Sequence, residues 1–191
     1  MKYIVAFIGK AGAGKDTIAD LVAKRLDAHV IVSCTTRPKR DYEVDGLSYH
    51  FLDAETFAEK VLNGEMLEAT FFNDWCYGTV KSDLIEGINI GVFNPAGIEA
   101  LEETMRNQED IKLVTYYVMC SDKTRMRRQL DREQEPDVKE IVRRFMADEE
   151  DFKNVEDYLT ITPLWNESIQ DLQYVVDDVV KSTKSWAEKD Q

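Results

Sequence analysis

The sequence predicts an α/β protein with a central, mostly parallel sheet flanked by helices. Short β-rich runs alternate with segments of helical period, a glycine-rich turn joins the first strand to the first helix, and 191 residues suit about one domain. Several of the β-rich runs are continuously apolar, as strands buried on both faces of a parallel sheet are.

Lys2 to Ile8 (KYIVAFI) reads as a buried strand ending at Gly9. From Lys15 to Leu26, Ile18, Val22 and Leu26 fall at helical spacing, with Leu21 widening the apolar stripe. His29 to Cys34 reads as a second strand, Gly91 to Phe93 with Ile88 and Ile90 as a third, Leu113 to Met119 as a fourth and Tyr158 to Ile161 as a fifth. Helices are expected at about 96–106, 121–132, 137–152 and 166–181. Two stretches break the alternation. Residues 36–79 combine Pro38, charges, a strand-like YHF, the amphipathic DAETFAEKVLNG and the aromatic-rich MLEATFF and WCYG, which together suggest a small lobe with its own sheet. Residues 125–150 carry Arg125, Arg127, Arg128, Arg132, Arg143 and Arg144 among acids around Pro136, as an arginine-rich lid would. Segments 1–35, 80–124 and 151–191 are then the core of a single domain over 1–191.

A balance of 24 basic against 37 acidic residues gives a net charge of -13, which opposes general attachment to nucleic acid or to an anionic membrane. The charge is uneven: residues 1–52 hold 8 Lys or Arg against 6 Asp or Glu. No apolar run approaches the ~20 residues of a membrane span and the first residues lack a secretory pattern, so a cytoplasmic location is expected. Cys34, Cys76 and Cys120 form no metal-binding spacing with His29 or His50, so reduced thiols are expected.

Gly9-Lys10-Ala11-Gly12-Ala13-Gly14-Lys15 reads G-x-x-x-x-G-K, followed by Asp16 and Thr17, in the required strand-to-helix setting. Glycines let the backbone curl until successive N–H groups face one concavity, and the positive helix end and the Lys15 ammonium favour polyphosphate there. Gly9, Ala11, Gly12, Ala13, Gly14, Lys15, Asp16 and Thr17 are therefore candidate ATP ligands. Asp16 stands where this motif usually has Ser or Thr. A carboxylate beside a triphosphate repels it unless a cation intervenes, which makes Asp16 the candidate ligand for Mg²⁺, with Thr17 on an α-phosphate oxygen.

Further along come Ser33-Cys34-Thr35-Thr36-Arg37-Pro38-Lys39-Arg40, Glu43-Val44-Asp45-Gly46, Tyr49-His50-Phe51, Glu65-Met66-Leu67-Glu68 and Tyr77-Gly78-Thr79. In this order they resemble the guanylate kinase family, which reads S-x-T-T-R-x-x-R, E-V-x-G, Y-x-F, E-F-x-E and Y-G-S/T. The resemblance is dense from about residue 4 to 80 and diffuse afterwards. It implies a P-loop nucleoside monophosphate kinase fold, ATP and a nucleoside monophosphate as substrates, a substrate-binding lobe at 36–79 and a lid at 125–150. It further implies that Arg37, Arg40, Tyr49 and Tyr77 anchor the acceptor's phosphate. Glu68 would accept from guanine N1–H and N2–H, with Ser33 and Thr79 near the base. By rough alignment Arg132 and Arg144 match the family's lid arginines, with Arg128 and Arg143 as neighbours. Lys15, Arg37, Arg132 and Arg144 are the expected catalytic set.

The pattern departs from the family after the third strand, where D-I-D-x-Q-G is replaced by Val92-Phe93-Asn94-Pro95-Ala96-Gly97. Asn94 is an amide that both donates and accepts, and is expected to turn its carbonyl toward the guanine donors. The resulting expectation is ATP-dependent phosphorylation of GMP or dGMP. The alternatives are a viral-type deoxynucleoside monophosphate kinase of relaxed or modified-base specificity, consistent with Gly14-Lys15-Asp16 and Asn94, and a non-catalytic module binding phosphopeptides through Arg37, Arg40 and Tyr49. A kinase acting on bases within DNA is disfavoured by the net charge.

Overall fold

The computed structural model describes residues 1–40, 43–72, 74–106, 108–132 and 134–188; expectations touching 41, 42, 73, 107, 133 and 189–191 lie outside the described residues. The chain runs β1 (Lys2–Ile8), α1 (Lys15–Leu26), β2 (His29–Val30), β3 (Cys34–Thr35), β4 (His50–Phe51), α2 (Ala54–Leu62), β5 (Met66–Phe72) and β6 (Trp75–Val80). It continues through β7 (Gly87–Val92), α3 (Pro95–Met105), β8 (Ile111–Met119), α4 (Asp122–Leu130), α5 (Val138–Asp151), α6 (Val155–Tyr158), β9 (Thr162–Trp165) and α7 (Ile169–Glu188).

The main sheet has the order β2-β7-β1-β8-β9, with every pairing parallel. Because successive strand residues face opposite sides, β1 supplies both halves of the core. Ile4, Ala6 and Ile8 pack with Ile98 and Leu101 of α3 and with Phe152 and Val155, while Val5 and Phe7 meet Ile18 and Val22 of α1 and Val175, Val176 and Val179 of α7. Side-chain oxygens of Asp53, Asn94, Ser121 and Asp137 cap α2, α3, α4 and α5, satisfying amides that a helix leaves open at its start.

The lobe is a second sheet, β4-β3-β6-β5, over a small cluster of Cys34, Phe57 and Met66. It begins before residue 36 because the expected strand His29 to Cys34 is divided between two sheets. The Ile31 amide still bonds Ile90 in the main sheet, but the Val32 amide donates to the Asp83 carboxylate at 2.9 Å, and Cys34–Thr35 then pairs with Tyr77 and Gly78. The expected strand at Tyr158 to Ile161 is also corrected. Tyr158 ends the short helix α6, and the strand is Thr162–Trp165. Pro163 is accommodated because β9 pairs only with β8 at the sheet edge, where a missing N–H is tolerated. The final helix runs to Glu188, past the expected end at 181.

Candidate nucleotide site

The glycine loop lies where β1 hands the chain to α1. Gly12 (φ 83°) and Gly14 (φ 94°) occupy the left-handed region. Side chains there would also collide: a Cβ on Gly12 would lie 2.4 Å from the Arg125 carbonyl oxygen, and one on Gly14 2.5 Å from Asn166 Nδ2. The loop's carbonyls are drawn backward. Ala11 O accepts from Gln129 Nε2 (3.3 Å), Gly12 O and Ala13 O from Arg128 Nη1 (3.4 and 3.2 Å), and Ala13 O also from Asn166 Nδ2 (2.8 Å). No side chain caps α1 at Gly14, so its first-turn amides and its positive pole remain for an anion.

Lys15 Nζ stands 3.3 Å from Asp16 Oδ2. The Lys15 charge is the main reason the Asp16 carboxyl sits below its ordinary value, and Arg132, just past the end of α4, adds to the effect. Among the described residues no three His, Cys, Asp or Glu converge into a metal cage. One exposed, ionised carboxylate next to a phosphate loop nevertheless fits Mg²⁺, which takes one or two carboxylates along with phosphate oxygens and water. Thr17 is exposed in the same turn.

In the lobe, Arg37 forms a fork with Glu43, Nη2 to Oε1 at 2.7 Å and Nη1 to Oε2 at 3.0 Å, and the Arg40 amide donates to Glu43 Oε2 at 2.8 Å. Burial opposes the Glu43 charge, but these hydrogen bonds prevail and its carboxyl lies below its ordinary value. The Arg37 guanidinium lies 5.5 Å from the Tyr49 ring centre, and Tyr49 and Tyr77 meet edge to face at 6.2 Å. Burial, with the Asp16 charge next, pushes the Tyr49 phenol up to about 12. Tyr49 thus belongs to the Arg37 cluster of the lobe and also feels the acid of the glycine loop.

Glu68 and Thr79 are cross-strand partners on β5 and β6, both buried. Burial pushes the Glu68 carboxyl up to about 7, opposed by Thr79. The Thr79 hydroxyl is fully buried beside the Glu68 carboxyl. Ser33 is half-buried on the crossing between β2 and β3. Asn94 arrives from the start of α3: a Cβ on Gly97 would be 3.2 Å from Asn94 Oδ1 and 3.7 Å from Glu68 Oε2. Its carbonyl has a task that the sequence did not announce: Oδ1 accepts the Gly97 amide at 2.6 Å as the cap of α3.

The arginines of residues 125–150 divide into three roles. Arg125 is no lid residue: it is 1% exposed, paired with Asp122, Asp148 and Glu149, and lies 3.7 Å from the Phe145 ring centre. Arg128 serves the back of the glycine loop. Arg143 and Arg144 both bind Glu140, whose carboxyl falls to about 2, with the Arg143 hydrogen bond as the largest cause. Arg143 also feels Asp74 and Tyr77 of the lobe, and Arg132 is exposed.

Sequence reasoning missed Glu43 as the group that orients Arg37, although it stood inside a recognised block. It also missed Gln129, Asn166 and Asp148, which carry no local signal; Asn166 touches the loop from 153 residues away.

Residues 1–183 match the family profile described as guanylate kinase. The guanylate kinase of Thermotoga maritima is 34% identical over 186 residues, covering 96% of this chain and 88% of that protein. The guanylate kinase of Frankia casuarinae is 46% identical over 85 residues, and that stretch spans under half of either protein, 44% of this chain and 46% of the other. The crystal structure of guanylate kinase from Anaplasma phagocytophilum shares the fold, with a TM-score of 0.67 at 20% identity over 97% of this chain and 86% of that one.

Proposed function

The chain belongs to the guanylate kinase family, a family of nucleoside monophosphate kinases, and on that premise we propose that it transfers the terminal phosphoryl group of ATP to GMP or dGMP. The observation that supports this reading is a pair of sets suited to phosphate, Lys15 with the uncapped start of α1, and Arg37 with Tyr49 and Tyr77, near enough for the Asp16 charge to act on the Tyr49 phenol. Phosphoryl transfer needs little covalent help beyond holding two nucleotides in line, stabilising charge and excluding water.

In this reading Lys15 and the amides of residues 14–17 hold the donor phosphates. Asp16 would hold Mg²⁺, which would supply charge neutralisation at the phosphate oxygens. Arg37 and Arg40, oriented by Glu43, grip the acceptor phosphate together with the Tyr49 and Tyr77 hydroxyls. Ionised Glu68 accepts from guanine N1–H and N2–H, with Ser33 and Thr79 beside the base. Arg132 and Arg144 close from the lid over the transferring group.

The purified protein with ATP and Mg²⁺, tested against ribo- and deoxy-monophosphates of each base, is expected to turn over GMP or dGMP fastest; turnover of pyrimidine monophosphates alone would overturn the reading. Arg37→Ala is expected to raise the monophosphate KM and lower kcat while leaving the ATP dissociation constant unchanged, and equal damage to ATP affinity would misplace it.

With its Oδ1 engaged as a helix cap, Asn94 favours a second reading, relaxed or modified-base deoxynucleotide specificity, because the rest of its amide is a donor, which suits base acceptors and not the guanine N2–H. Asp is as good a helix cap as Asn. Asn94→Asp is therefore expected to keep the melting temperature and sharpen preference for GMP or dGMP over other purine monophosphates, as read from ratios of kcat/KM. A fall in guanine turnover would favour the second reading.

A further inference from the structure

The back of the glycine loop meets a buried ion pair that the nucleotide site does not use. Asp148 Oδ2, on α5, accepts the Ala11 amide of the loop at 2.8 Å and Arg125 Nη1 of α4 at 3.1 Å. Arg125 is 1% exposed, its Nε reaches Asp122 at 2.8 Å, and its Nη2 reaches Glu149, which in turn holds Lys10 of the loop at 2.8 Å. One carboxylate thus joins three elements: the loop, α4 and the lid helix α5. Arg144 lies four residues before Asp148, on the same face of α5, so whatever fixes Asp148 against the loop also fixes the approach of that arginine.

A merely structural pair would be a poor use of these groups. Buried ion pairs seldom stabilise a fold more than apolar residues of the same volume do, whereas a carboxylate bonded to a loop amide fixes backbone geometry. The Ala11 amide would otherwise be a loose donor next to an anion site. Bound to Asp148, it holds the loop's first turn while Gln129 and Arg128 hold the carbonyls that follow.

We infer that Arg125 and Asp148 are positioning residues that clamp the lid helix to the Ala11 amide and so preset the loop for the donor's phosphates, without touching a substrate. The inference rests on the reading of the loop as an ATP site. The test therefore measures ATP binding by calorimetry with no acceptor present, beside thermal melting. A wild-type protein that binds ATP but phosphorylates no monophosphate would defeat the proposed reaction and leave this inference standing.

Asp148→Asn keeps an oxygen for the Ala11 amide and turns an amide N–H₂ toward Arg125. Its melting temperature is expected to fall while its ATP dissociation constant stays within about threefold of wild type. Asp148→Ala, which abandons the Ala11 amide, is expected to bind ATP about tenfold more weakly, the order of one lost charge-assisted hydrogen bond. In the double variant Arg125→Met with Asp148→Ala both charges are gone. Its melting temperature is expected to return to within about 5 °C of wild type, with ATP affinity remaining about tenfold low and kcat/KM for ATP reduced in proportion. The inference is overturned if the double variant recovers both stability and ATP affinity. Should that variant fail to fold, equal ATP affinities for Asp148→Asn and Asp148→Ala overturn it just as directly, and the expected difference between them supports it.

Discussion

Lys15→Ala is expected to fold normally and to lose about 10²- to 10³-fold in kcat, the size associated with one preorganised contact to developing charge. Its fold is safe because the loop owes its shape to other groups. Gly12 and Gly14 supply the left-handed turns, and Arg128, Gln129 and Asn166 hold the carbonyls. The Lys15 ammonium has Asp16 as its ion-pair partner, at 3.3 Å. Its removal therefore takes a cation from the donor phosphates and leaves the scaffold as it was. A melting temperature near wild type with turnover lost is the expected pair of measurements, and near-normal turnover would refute the loop's role.

Glu68→Gln is expected to separate activity from stability. A carboxylate offers two acceptors to guanine N1–H and N2–H, while an amide offers one acceptor and one donor, and a donor facing a donor in a buried site costs about 1 to 3 kcal/mol, or roughly 5- to 150-fold in kcat/KM. The same side chain is a burden on the empty protein. Burial raises its carboxyl to about 7, so the folded state holds the proton more tightly than the unfolded chain does. The stability contribution is then fully present below the ordinary carboxyl value of 4.5 and is lost as pH rises through about 7, a change on the order of 3 kcal/mol. Glutamine does not titrate. The variant should melt several degrees above wild type at pH 8, with that advantage gone near pH 5, and it should use GMP poorly at both. In the wild type the KM for GMP should rise as pH falls below about 7, because the protonated carboxyl cannot accept twice. A flat KM between pH 6 and 8, with no stability gain in the variant at pH 8, would remove Glu68 from the base site.

Where a residue's task is local, the sequence announced it. The glycines, Lys15, the Asp16 departure and the lobe blocks were legible because phosphate cradles need particular residue types at fixed spacing, and main-sheet strands such as Lys2–Ile8 because burial on both faces leaves unbroken apolar runs. Where the task depends on tertiary partners, it was hidden. Arg125 read as a lid arginine because its sequence neighbours are charged, yet in the fold it is enclosed by Asp148 and Phe145. Asn94 was recognised as unusual, but a helix start decides which end of its amide is available. The strand from His29 to Cys34 is apolar enough for one sheet; only the Asp83 carboxylate, bonding the Val32 amide, sends it into two.

The Arg37–Glu43 fork also bears on how the lobe behaves with no nucleotide present. Two guanidiniums gathered beside half-buried tyrosines would attract any small oxyanion, inorganic phosphate among them. Glu43 already occupies that role from within the chain, bonding Arg37 through both oxygens and standing 4.0 Å from the Arg40 guanidinium, so part of the pair's positive charge is already met by a carboxylate. A free oxyanion must therefore share the arginines with a resident carboxylate, and it brings no base to engage Glu68 and Thr79. In the proposed reading Glu43 is thus a competitor that never dissociates, and one that a nucleotide displaces more readily than its bare phosphate does.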